Sequence, residues 1–75
     1  MAGKLPVVTV RRLLRALAQE GWSVDRTTGH TILRHPDHAG SVPVPNHPAE
    51  ELTRKTLRSI LTATGVTPER LRELL

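Results

Sequence analysis

Apolar residues along this chain follow two different spacings, and the change from one to the other marks its elements. Between Thr9 and Gly21, Val10, Leu13, Leu14 and Leu17 recur three and four residues apart, the period of one helical face. Thr9 is a good N-cap residue and Gly21 a natural stop, so a first helix is predicted there, with Arg11, Arg12 and Arg15 turned to solvent. Ser23 to Thr27 and His30 to His35 then alternate polar and apolar positions on either side of Thr28-Gly29, which predicts a β-hairpin. With a two-residue loop, Thr27 faces His30, Arg26 faces Thr31, Asp25 faces Ile32 and Val24 faces Leu33. That register turns Val24 and Leu33 to the core and leaves Asp25, Thr27, His30, Ile32 and Arg34 on a wet face. Threonine is poor at positive φ, so a longer loop with a bulge at Gly29 is the competing geometry.

Asp37 to Gly40 reads as a second turn, and Ser41-Val42-Pro43-Val44-Pro45 as a short strand whose prolines suit an edge. After a loop from Asn46 to Glu51, Thr53 caps a second helix, Arg54 to Thr64, stopped by Gly65. Thr67-Pro68-Glu69 opens a shorter helix with Leu71, Leu74 and Leu75 as its apolar side. Trp22 is read as core filling, because a tryptophan without aromatic neighbours makes no base-stacking platform. The resulting order is α-β-β-β-α with a short C-terminal helix. It predicts a two-layer α+β fold, helices on one face of a three-stranded antiparallel sheet, and resembles the order of the double-stranded RNA-binding domain.

Composition narrows the class. Seventy-five residues make one domain, 1–75, and 37% hydrophobic with 24% charged residues is a globular balance. No apolar run approaches the roughly 18 residues that cross a bilayer. The opening MAGKLPVV has no apolar signal core, so a cytoplasmic protein is expected, with roughly the first six residues flexible. The absence of cysteine excludes disulfides and thiolate metal sites. The net charge is +4. Residues 1–35 hold six cations (Lys4, Arg11, Arg12, Arg15, Arg26, Arg34) against Glu20 and Asp25, whereas residues 36–75 balance five against five. Arginine dominates the cations, and its planar fork suits phosphate oxygens, so a polyanionic partner such as RNA fits. Solubility alone also accounts for a charge of this size.

His30 is the candidate for chemistry. An unperturbed imidazole changes charge near neutral pH, and a hairpin bend holds it clear of the core. From the residues alone, a lone histidine at a turn is more often a surface or capping residue than a catalyst. His35, His38 and His47 invite a metal test, but the Pro36 and Asp37 between the first two match no zinc spacing. There is no Ser-His-Asp set, glycine-rich phosphate loop or helical HExxH, and Glu50-Glu51 do not face each other as paired catalytic carboxylates do.

Taken together, Val44-Pro45, His47, Glu51-Leu52, the run Thr56-Leu57-Arg58-Ser59-Ile60-Leu61 and Gly65, after a Gly21-Trp22 helix exit and a hairpin ending Arg34-His35-Pro36, resemble the HicA toxins of bacterial HicAB toxin–antitoxin systems. The resemblance runs in order from Val7 onward. It implies a double-stranded-RNA-binding-like fold and a metal-independent mRNA interferase, without a cofactor, that arrests translation until a HicB antitoxin covers it. The family's hairpin usually reads Gly-Ser-His, often with a second histidine; its first, essential histidine falls here on His30. Thr28 stands in the glycine place, Gly29 in the serine place, Thr31 where the second histidine often stands, and Lys55 where glycine commonly precedes the TLRSIL run.

On this reading His30 transfers the proton. Arg26 and Arg34 are the first candidates for phosphate contact, and Arg11, Arg12 and Arg15 the next. The alternative is a non-catalytic RNA-binding module, or an inactive toxin-like domain whose main role is binding a HicB-type partner. A neighbouring reading frame for such a partner, and growth arrest on expressing this chain alone, discriminate between them.

Overall fold

Each helix starts on a threonine whose hydroxyl oxygen accepts the amide three residues on: Thr9 from Arg12 at 3.3 Å, Thr53 from Thr56 at 3.2 Å and Thr67 from Arg70 at 3.1 Å. These side chains satisfy amides that have no partner inside a helix. In this computed structural model, which describes residues 5–75, the caps open α1 (Val10–Gln19), α2 (Arg54–Thr64) and α3 (Pro68–Leu74). Gly65 closes α2 in the left-handed conformation, φ 77°, as a glycine C-cap does. Lys4, and most of the stretch expected to be flexible, fall in residues 1–4 and lie outside the described residues. Leu5, at its end, packs against the core.

The strands are β1 (Ser23–Thr27), β2 (His30–Arg34) and β3 (Val42–Pro45), antiparallel in the order β1-β2-β3. Thr31 and Leu33 of β2 and Val42 and Val44 of β3 are buried, and the residues between them are exposed or half-buried. One sheet face therefore lies under the helices and the other is open, as the α+β reading expects. Leu13 and Leu17 of α1, Leu57 and Ile60 of α2, Leu71 of α3 and Trp22 close the same core cluster. Among the described residues no helix is long and apolar enough to cross a membrane.

The hairpin register differs from the expected one. Val24 pairs with Leu33, but Arg26 pairs with Ile32 and Thr27 with Thr31, so the ladder shifts between Val24 and Arg26 and leaves Asp25 as the extra residue of a bulge. The connection is one residue longer than a two-residue turn, and the Thr28 amide donates to the His30 carbonyl at 2.8 Å. Gly29 is not in the left-handed conformation, so the positive φ of the primed turns is not used, and the bulge sits in β1 rather than at the bend. A second correction concerns Val24, expected in the core and found 56% exposed. Pairing does place it on the core side beside Leu33, but β1 is an edge strand whose five residues are all exposed, because the helical layer covers β2 and β3 and stops short of it.

The loop from Asn46 to Glu51 is tied to the start of α1. The Val10 amide donates to the Glu50 carbonyl at 2.9 Å, that of Arg11 to Pro48 at 3.0 Å, and Leu52 to Val8 at 3.0 Å. Backbone carbonyls thus occupy the first amides of α1, and that helix end is closed to anions.

Candidate functional site

The bulge decides which side chains share the open face. Residues paired across a sheet point the same way, so Arg26, opposite Ile32, joins His30, Ile32 and Arg34 on the uncovered side, and Thr27 goes with Thr31 to the other. His30 is the first residue of β2, exposed, and paired on its other side with Pro45. Among the described residues its ring has no hydrogen-bond or ion-pair partner. Arg26 is its diagonal neighbour, about 7–8 Å away between backbones, and Arg34 lies four residues along the strand, about 13 Å. Arg26, opposite Ile32, therefore stands level with the middle of β2, between His30 and Arg34 along the strand.

Arg34 is not wholly free. Its Nε lies 3.7 Å from an Asp25 carboxylate oxygen, both side chains being well exposed. A pair of that length in water contributes little. Thr31, at the place of the second histidine, is buried on the core side and its hydroxyl donates to Asn46 Oδ1 at 3.3 Å. It is therefore part of the packing and stands on the opposite face from His30.

The other histidines have different tasks. The Asp37 amide donates to His35 Nδ1 at 3.0 Å, so that nitrogen carries no proton, and Nε2–H donates to the Glu20 carbonyl at 2.8 Å. His35 thus locks the end of β2 to the end of α1. Its ring stands 5.1 Å from that of Trp22 and 4.9 Å from that of His38, which is 4.8 Å from Trp22. The premise that Trp22 lacks ring neighbours is therefore corrected: two imidazoles, thirteen and sixteen residues away in sequence, fold onto it. Gly21 allows this contact, with φ 97° and no room for a side chain: a Cβ there would meet His35 Nε2 at 2.7 Å. Among the described residues no three metal-ligating side chains converge, so His35, His38 and His47 form no centre.

The cations divide by layer. Arg11, Arg12 and Arg15 are exposed on α1, in the layer behind the sheet, and are not part of the His30 face. Arg70 is bound by Glu20 (Nε to Oε1 3.0 Å) and by Glu73 (Nη1 to Oε1 3.1 Å). The hydrogen bonds from Arg70 hold the Glu20 carboxyl below the usual carboxylate range. A cleft of about 430 Å³ between α2 and the start of α3 is lined by apolar residues such as Leu61, Val66 and Pro68 and by no candidate residue.

A family model described as the HicA toxin of bacterial toxin–antitoxin systems matches residues 10–66. The chain belongs to the HicA toxin family. The matched span holds α1, the whole sheet with His30, the Gly21–His35 contact and α2, and ends before α3. No individual curated protein matches this HicA chain.

Proposed function

We propose that this HicA toxin is an endoribonuclease that cuts mRNA and that His30 carries the proton transfer. The supporting observation is the exposed imidazole of His30, without a partner among the described residues, on an uncovered sheet face that it shares with Arg26 and Arg34. RNA brings its own nucleophile. The 2′-hydroxyl attacks the adjacent phosphorus as His30 takes its proton, the new O2′–P bond forms and the P–O5′ bond breaks. The imidazolium so formed is the acid at hand for the departing 5′ oxygen, and the products are a 2′,3′-cyclic phosphate and a 5′-hydroxyl. Proton transfer of this kind contributes typically 10²–10⁴-fold, and arginines beside the phosphate neutralise the charge that grows on its oxygens. The substrate is single-stranded mRNA, and the protein partner is a HicB-type antitoxin whose acidic surface covers the same cationic face.

His30→Ala decides the matter. The position is exposed and the loss of packing small, so the variant is expected to fold, to lose RNA cleavage by a factor on the order of 10² or more, and to stop arresting growth when expressed without antitoxin. Cleavage by the parent chain is expected to persist in excess chelator. A His30→Ala protein that degrades RNA at the parent rate removes the histidine from the mechanism.

A further inference from the structure

A second place in the molecule has the makings of a ligand site. Where the end of β2 meets the ends of α1 and α2, a cavity of about 250 Å³ is lined by Trp22, His35, His38, Thr67, Glu20 and Arg70. Trp22, His35 and His38 are the only aromatic rings in the sequence apart from His30 and His47, since there is no phenylalanine or tyrosine. The three rings are mutually tilted, with centroids 4.8–5.1 Å apart, the inclined arrangement that aromatic rings prefer. Trp22 and His35 are held by the core and by two hydrogen bonds, and His38 is exposed. In the same lining, two carboxylates hold the Arg70 guanidinium by its edges, with Nη2 to Glu20 Oε2 at 3.1 Å besides the contacts above. A guanidinium bound at its edges offers its flat face.

We infer that this cavity takes one unpaired RNA base, stacked on His38, and so gives the toxin a sequence preference at a distance from the cut. Unstacked bases are held on histidine and tryptophan rings and on arginine planes, with polar groups at the rim reading their edges. The volume lies below the roughly 300 Å³ at which drug-sized pockets begin, which fits a single ring system. His30 and His35 stand at opposite ends of β2, about 16 Å apart, so a base seated here lies a few nucleotides from the scissile phosphate. Thr67 and Arg70 fall outside the span shared with the family; a preference read here is set partly by this chain's own C-terminal segment. The inference rests on the proposal that RNA is the substrate.

The test uses the whole chain carrying His30→Ala, so that RNA survives the titration, and a short single-stranded oligoribonucleotide. Trp22 is the one tryptophan, so the intrinsic fluorescence reports this corner alone. The oligoribonucleotide is expected to shift the Trp22 emission. Adding His38→Ala is expected to abolish the shift and weaken binding about 5- to 100-fold, the effect of removing one base-stacking side chain, while His38→Phe retains both. Circular dichroism checks that each variant is folded. The inference is overturned if the emission does not move, if His38→Ala binds and responds like its parent, or if His38→Phe loses as much as His38→Ala. The two proposals fail separately. A parent chain that leaves RNA uncut while binding stays dependent on His38 removes the nuclease and keeps the base site; unchanged KM and kcat in His38→Ala on otherwise wild-type protein remove the base site and keep the nuclease.

Discussion

Single residues carry unequal weight here, and two glycines show why. Gly21 combines a left-handed backbone with a neighbour 2.7 Å from where a Cβ would stand, and that neighbour, His35, is held at both ring nitrogens. Gly21→Ala must strain the backbone and displace the imidazole, and is expected to cost about 2 kcal/mol or more. In a domain of this size that lowers Tm by on the order of 10 °C, which thermal unfolding will measure. Gly29, at the hairpin bend, has no atom within 4 Å of a built Cβ. Gly29→Ser, which restores the residue usual before the essential histidine in HicA toxins, is therefore expected to change stability by less than about 0.5 kcal/mol. His30 was legible in the sequence because a polar residue at a bend is exposed by default. The lock made by His35 was not, since its partners are a backbone carbonyl fifteen residues back and an amide two residues on.

Among the elements, α3 is attached to α1 by polar contacts as well as by Leu71. Arg70 bridges Glu20 and Glu73, and Gln19 donates to the Leu74 carbonyl at 3.0 Å. The carboxyl of Glu20 is held below its ordinary range, first by hydrogen bonds from Arg70. A carboxyl depressed in the folded state contributes stability above its unfolded pKa and loses it as pH falls through the folded value. The advantage of the parent chain over Glu20→Gln in thermal unfolding is therefore expected to be constant at neutral pH and to shrink as the solution is acidified below the carboxylate range. A difference in Tm that is independent of pH down to strong acid would show that the pair does not act through its charge. The caps and stops of the helices were readable from Thr9, Thr53, Thr67 and Gly65, since capping is a local transaction. The ion pair was not, because it joins positions fifty residues apart.

For the whole molecule, the deciding feature is that the excess of cations is divided between two layers. Arg26 and Arg34 share the sheet face with His30, and Arg11, Arg12 and Arg15 lie behind it on α1. If RNA lies along the sheet face, replacing Arg26 and Arg34 together is expected to flatten the slope of log K against log salt by roughly 1 to 1.5, each phosphate contact to a single strand contributing about −0.7. The same exchange of Arg11 and Arg15 is expected to leave the slope unchanged. Binding titrations at several salt concentrations measure both, and the opposite ranking would move the interface to the helical layer.

What the sequence determined by itself was whatever depends on neighbours along the chain: the periods of helix and strand, the capping threonines, the glycine stop of α2, the order of elements, and the exposure of His30 at a turn. Its motifs also carried the HicA resemblance that the family match bears out. Tertiary structure decided the rest. The bulge at Asp25 moved Arg26 to the face of His30, which no alternation of apolar residues could announce, since an extra residue in one strand reverses the facing of the side chains that follow it. The reach of the helical layer left Val24 exposed in spite of a correct pairing with Leu33. Trp22, His35 and His38 met because the ends of α1 and β2 converge in space, and the chemistry of such a corner exists only once distant segments pack.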